Sequence, residues 1–442
     1  MTRLPRRYAA PGVALALGFL ALAAPAARAD ELRYYDAATC EPVTEQVADV
    51  VEENWAFVSY RVKAGQNLKR VDTRLVIDIK RAGEDSQVAA FKSALAEYQN
   101  GNWAGARQGF GTVAGGGLTQ DSTDGTIKNK PFPAPEGGKV KWYVPYAHYM
   151  YAAAIYREGL AKKDDKLLGY GLEALDADTA EGKGFLARYK EGKSRWYADA
   201  MLLKAQILLA LKRYDEAAAA FDALYQKSLT VPVGVRFSYE AKLGPGRVAE
   251  AKGDGNAAEA AYEAASAAVQ SLLDQPQDPC SKRELGRYFN EARMQKARIM
   301  LAAAEKADSP PEFARVRTYL MTGAPDALRQ KLAGKPADVV DAVLAGALSP
   351  TVQAVANNGI GLAFLSEKKY ADAVFAFTNV RIKYFSVTEE VPRALYYLAK
   401  AADAASAAAT KPEAKTLFKD QAAAARQELE HSWKDTVWAA KK

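Results

Sequence analysis

Small and aromatic positions recur along this chain in one nineteen-residue register, and the register occurs four times. The first copy sets Ala94 ahead of Gly101, Trp103, Ala106, Phe110 and Val113. The second reads Ala205, Lys212, Tyr214, Ala217, Phe221 and Leu224, and the third Gly246, Gly253, Gly255, Ala258, Tyr262 and Ala265. The fourth reads Gly361, Lys368, Tyr370, Ala373, Phe377 and Val380. This spacing predicts two short helices in a hairpin. The small residue on the first helix lets the second approach, and the aromatic one turn past the alanine fills the space beside it. Only the third copy departs, with Gly255 in place of the first aromatic.

Up to Arg81 the period is different. Trp55 to Val62 is aromatic and β-branched, and Gly65-Gln66-Asn67 reads as a turn. Leu75 to Lys80 alternates, which places Leu75, Ile77 and Ile79 on one side and Asp78 and Lys80 on the other. Alternation predicts a hairpin or small sheet, so residues 30–82 are expected to form a β-rich module. From Gln87 the pattern is helical, and 87–442 is expected to be a run of helical hairpins. Gly115-Gly116-Gly117 opens a long polar loop over 115–141, where Pro131, Pro133 and Pro135 argue against regular structure. The helix after it lines one face with Trp142, Tyr146, Tyr149 and Tyr156. Residues 164–193, rich in glycine and charge, read as a degenerate hairpin or connector. Gln275 to Pro279 breaks the chain before a helix over Glu284–Glu305, which carries Arg283, Arg287 and Arg298 on one side. Ser309-Pro310-Pro311 and Gly334-Lys335-Pro336 delimit less regular helices. Pro392 then starts two alanine-rich helices that read as a C-terminal cap.

The order small residue, aromatic, alanine, aromatic resembles the tetratricopeptide repeat. The resemblance implies a mainly α fold, an α-solenoid of helical hairpins, that binds protein partners along its concave surface while the signature residues serve packing. A short β segment ahead of such repeats looks like the order found in exported bacterial repeat proteins.

The first residues bear on compartment. Arg3, Arg6 and Arg7 precede an apolar run from Val13 to Ala24, and Ala27-Arg28-Ala29 supplies small residues where a signal peptidase cuts. Residues 1–29 are therefore expected to be a signal peptide, with Asp30 the first mature residue and the periplasm the destination. The apolar run is shorter than the ~20 residues a membrane span needs. The context of Arg6-Arg7 lacks the neighbours of a twin-arginine signal, so general secretion is expected. No cysteine stands at the cleavage point to carry a lipid.

Losing that leader changes the charge. Arg3, Arg6, Arg7 and Arg28 are basic, and no acidic residue accompanies them, so the formal charge of +7 falls to +3. Nothing in that balance points to nucleic acid or to a membrane surface. The two cysteines, Cys40 and Cys280, could pair in an oxidising compartment or stand apart as thiols in an elongated molecule.

Candidate chemistry is sparse. There are two histidines, His148 and His431, and no Cys or His cluster has the spacing of metal ligands. No Gly-x-Ser-x-Gly elbow exists, and neither Gly137-Gly138-Lys139-Val140 nor Gly334-Lys335-Pro336 completes a P-loop. No catalytic residue, metal or cofactor is expected, and the chain reads as a non-enzymatic scaffold or assembly factor. Two surfaces are candidates for partner binding. The stripe Trp142, Tyr146, Tyr149 and Tyr156 could receive a peptide or a sugar ring, although stripes of this period are usually core. The row Arg283, Arg287 and Arg298 could grip an acidic peptide or a cell-wall polymer, although such rows are usually solvated faces. A glycan- or peptidoglycan-binding protein is the alternative reading.

Overall fold

The structure, a computed structural model, describes residues 29–81, 86–120, 127–130, 132, 141–178, 183–190, 193–230, 235–307, 311–313, 315–316, 319 and 350–441. All but the last residue of the expected leader lies outside these, as do Pro131, Pro133, Pro135 and the stretch around Gly334-Lys335-Pro336.

The chain is mainly helical with a small N-terminal antiparallel β module. The module comprises β1 (Asp30–Tyr35), β2 (Pro42–Val47), β3 (Asp49–Glu53), β4 (Phe57–Arg61), β5 (Lys69–Asp72) and β6 (Val76–Lys80). Two three-stranded sheets, ordered β2-β1-β6 and β3-β4-β5, close on Leu32, Val47, Val58, Tyr60, Leu75 and Ile79. The expected alternation of Leu75, Ile77 and Ile79 fails at its centre. Arg33 pairs with Asp78 but Tyr34 pairs with Val76, so Ile77 is the extra residue of a bulge. It is left exposed while Leu75, in a 3-10 turn, and Ile79 are buried. A bulge shifts the side-chain phase by one residue, which strict alternation cannot anticipate.

The helices are α1 (Ser86–Gln99), α2 (Trp103–Ala114), α3 (Tyr143–Lys162), α4 (Asp165–Asp176), α5 (Phe185–Arg188), α6 (Tyr197–Ala210) and α7 (Tyr214–Thr230). They continue with α8 (Val235–Ala251), α9 (Gly255–Leu273), α10 (Pro279–Ala307), α11 (Pro350–Ser366), α12 (Tyr370–Lys383), α13 (Val391–Ala408) and α14 (Pro412–Ser432). Each of the four sequence copies is one helix–turn–helix: α1–α2, α6–α7, α8–α9 and α11–α12. Ala106, Ala217, Ala258 and Ala373 are fully buried, and so are Phe110, Phe221, Tyr262 and Phe377. The position seven after the small residue is where the first helix stops. Gly101, Lys212, Gly253 and Lys368 have φ of 79°, 57°, 78° and 61°, the left-handed conformation that ends a helix. Glycine adopts it freely, whereas each lysine there costs ~1–2 kcal/mol that the hairpin packing offsets.

A fifth hairpin, α3–α4, has the same turn without the signature. Lys163 has φ 53°, and Asp164 caps α4 by accepting a 2.9 Å bond from the Leu167 amide. The alanine position is taken by Leu168, and Gly159 on α3 makes the room instead. A Cβ there would stand 2.7 Å from Leu168 Cδ2. The degenerate hairpin or connector expected over 164–193 thus begins with a helix paired to the one before it.

Two further expectations change. The loop over 115–141 contains an antiparallel pair, β7 (Gly117–Gln120) with β8 (Ile127–Lys130), which forms ahead of the prolines where amides are free to pair. The helix expected from Glu284 starts at Pro279, because proline suits the first helical position and Asp278 accepts a 3.0 Å bond from the Ser281 amide. Cys280 is therefore in the first turn of a helix rather than in a loop.

Candidate functional site

The β module is fixed to the helices along one cleft. Cys40, in the β1–β2 turn, is bridged to Cys280 of α10, with their Cα atoms 5.0 Å apart. Beside the bridge, Arg74 lies 3.2 Å from Asp278 and donates a 3.0 Å bond to the Ser281 hydroxyl. At the other end Arg81 joins Asp30 at 3.1 Å and also Glu53, which lies 3.3 Å from Arg195. Arg195 precedes α6, so these charges tie four separate stretches of chain. Trp55 meets Tyr197 edge-on at 5.2 Å, and Arg81 lies 5.6 Å over Trp142. These charged groups are only slightly exposed, so losing one partner of a pair is costly even where the pair itself contributes little.

Cavities open between these ties. One, of about 240 Å³, is lined by Trp55, Arg74, Arg195, Asp199, Arg236 and Glu284 among others. Burial raises the Asp199 carboxyl above its ordinary range, against the pull of Arg236, 3.3 Å away, and of Arg195. Burial likewise raises Glu284, with Arg287, Arg236 and Arg74 opposing. A second cavity, of about 310 Å³, lies beside the disulfide and shares Arg74 and Glu284 with the first. A third, also about 310 Å³, is walled by Arg81, Phe91, Trp142, Tyr146, Arg195 and Trp196 among others.

The expected aromatic stripe is only partly brought to this cleft. Trp142 and Tyr146 line the third cavity, but their rings are engaged. Tyr146 stacks on Trp196 at 4.1 Å and packs on Phe91 at 4.9 Å, and Trp142 meets Phe91 edge-on at 5.7 Å. Tyr149 is parallel to Trp196 at 5.5 Å. Tyr156 sits two turns further on, half-buried in the helical core, where burial raises its phenol. The arginine row also divides. Arg283 and Arg287 line the cavity beside the disulfide. Arg298 is instead bound to Glu390 at 3.0 Å and to Glu389, tying α10 to the start of α13. It belongs to a buried network in which the Asn358 amide donates to Glu390 at 2.9 Å, so it is a structural residue and not part of an exposed face.

Sequence reasoning missed Glu53, Arg74, Arg81, Arg195, Trp196 and Asp199. Glu53, Arg74 and Arg81 come singly from the β module and Arg195, Trp196 and Asp199 from one short stretch far along the chain, and no local period links the two sets. The adjacent Arg195-Trp196 ahead of a helix was the one signal available. His148 is no part of the cleft. It is buried against Phe132, ring to ring at 3.8 Å, with Nε2 3.0 Å from the Ala174 carbonyl oxygen. Burial, and then Arg188, push its imidazole down to about 3.

Among the described residues, no group of three or more His, Cys, Asp or Glu is placed to hold a metal ion, and no helix is long and apolar enough to cross a membrane. No protein-family model matches the chain, and no curated protein matches it.

Proposed function

We propose that this chain is a non-enzymatic scaffold or assembly factor. It is an α-solenoid of tetratricopeptide-like hairpins that works in the periplasm and binds protein partners. The observation that supports this reading is the common fate of the signature residues. In all four copies the small residue, the alanine and the second aromatic are buried in the hairpin, and the turn is left-handed. Residues spent on packing leave recognition to the surfaces between and beside the hairpins, as in stacked repeats. The Cys40–Cys280 bond accords with an oxidising compartment.

The glycan reading draws less support. A sugar ring needs an open aromatic face, and the faces of Tyr146 and Trp196 are turned to each other. Cross-linked capture tests the choice. Tagged chain beginning at Asp30, used as bait in a periplasmic extract, is expected to retain a defined protein that excess untagged chain displaces. Absence of any displaceable protein, together with co-sedimentation of the chain with cell-wall sacculi, would refute the scaffold and favour the glycan.

A further inference from the structure

The cavity beside the Cys40–Cys280 bridge holds more positive charge than its ties consume. Arg74, Arg283 and Arg287 line it against one carboxylate, Glu284. Arg74 is already bound to Asp278 and Ser281, with Asp72 3.4 Å away. Arg283 and Arg287 are exposed, and among the described residues neither is ion-paired to a carboxylate. Arg287 gives one N–H to the Tyr288 hydroxyl at 2.8 Å and its guanidinium lies 4.8 Å over that ring, which fixes the head and leaves its other N–H groups to a ligand. The two guanidinium groups stand four residues apart on α10, on the same face. Tyr35 and Arg74 of the β module form the opposite wall.

We infer that this cavity receives a carboxylate borne by an acidic peptide segment of the partner, an assignment that rests on the scaffold reading above. The planar guanidinium fork matches a carboxylate with two parallel hydrogen bonds, and two such forks, ion-paired to neither Glu284 nor Glu291, which act on Arg287 only at a distance, give the group its seat. A volume of about 310 Å³ suits a side chain or a chain end, not a folded domain. The neighbouring cavity favours a peptide over a small free acid. It shares Arg74 and Glu284 as a wall and adds the apolar surfaces of Trp55 and Phe237. A segment with an apolar residue beside its acidic ones occupies both cavities, whereas a small dicarboxylate fills one. Because one wall is β module and the other is α10, the site is complete only while the module is docked, and the disulfide holds it there.

The test is calorimetric titration of the full mature chain with an acetylated, amidated peptide of two glutamates followed by a leucine. Saturable binding is expected, and the glutamine version of the peptide should bind at least roughly tenfold more weakly. Arg283→Gln with Arg287→Gln should weaken the glutamate peptide by a similar factor at unchanged helical circular dichroism. Glu284→Gln removes the opposing charge and should tighten binding several-fold, a gain that misfolding cannot mimic. Undiminished binding by the double arginine variant, or no saturable binding by the unmodified chain, overturns the site. Succinate binding as tightly as the peptide overturns the peptide source. If the double variant still captures the partner from extract, the site falls while the scaffold reading stands; if the unmodified chain captures none, that reading falls too.

Discussion

Gly361→Ala tests whether the repeat register is set by contact. Gly361 lies on α11 against Phe377 of α12, and a Cβ at this position would stand 2.6, 2.7 and 2.9 Å from Phe377 Cε1, Cζ and Cδ1. Carbon atoms rest at ~3.5–4.0 Å, so the ring or the helix must yield by about 1 Å. The ring has little room: Phe377 is fully buried and faces Tyr397 at 5.9 Å. Overpacking of this kind costs ~1–3 kcal/mol, while alanine in place of glycine inside a helix returns up to ~1 kcal/mol. The net is a loss of up to ~3 kcal/mol. Gly169→Ala in α4 is the control, since its Cβ would meet nothing within 4 Å. It should gain ~0.5–1 kcal/mol from the propensity term alone. Urea melts followed by circular dichroism at 222 nm measure both. Phe377→Leu in the Gly361→Ala background should recover part of the loss, a coupling of about 1 kcal/mol between touching residues. Equal stabilisation by Gly361→Ala and Gly169→Ala, with no coupling to Phe377, would show that the register does not rest on this contact.

The disulfide predicts two measurable effects. Native chain should yield no free thiol to a thiol reagent, and Cys40→Ser should lower stability by ~5 kcal/mol in the chain-entropy model for a bridge that closes 240 residues. Two reactive thiols in the unreduced native chain would refute it. His148 predicts a pH dependence. Its folded-state pKa of about 3 lies below the ~6.5 of an exposed imidazole, so the unfolded chain binds the extra proton. Stability from this group is present above pH ~6.5 and falls by ~1.4 kcal/mol per unit as the pH drops towards 3. An NMR titration should find the His148 ring neutral at pH 5, and a midpoint near 6.5 in the folded protein would show that the ring is not buried as described.

The hairpins were legible because their requirement is local. A small residue, a turn and an aromatic lie within nineteen residues, and each acts on a neighbour in sequence. The α3–α4 hairpin could be read only as a degenerate hairpin or a connector, because Gly159 and Leu168 exchange the usual roles of small and large residue across the same contact. Ile77 was placed on the wrong side because a bulge is decided by the partner strand, and β1 lies more than forty residues away. The arginine row on α10 has the right spacing in the sequence, but Glu389 and Glu390 arrive from the far side of the chain to claim Arg298.

The sequence by itself determined the helical hairpins, the N-terminal β character and the lack of a recognisable catalytic motif, since each rests on short-range period and composition. Only the tertiary structure decided the cleft. Glu53, Arg74 and Arg81 share no spacing with Arg195, Trp196 and Asp199, and their joint chemistry exists only where the β module docks. The bridge from Cys40 to Cys280 is of the same kind. Two cysteines 240 residues apart pair or stay free according to whether the fold brings them within ~7 Å, and nothing local to either residue encodes that distance.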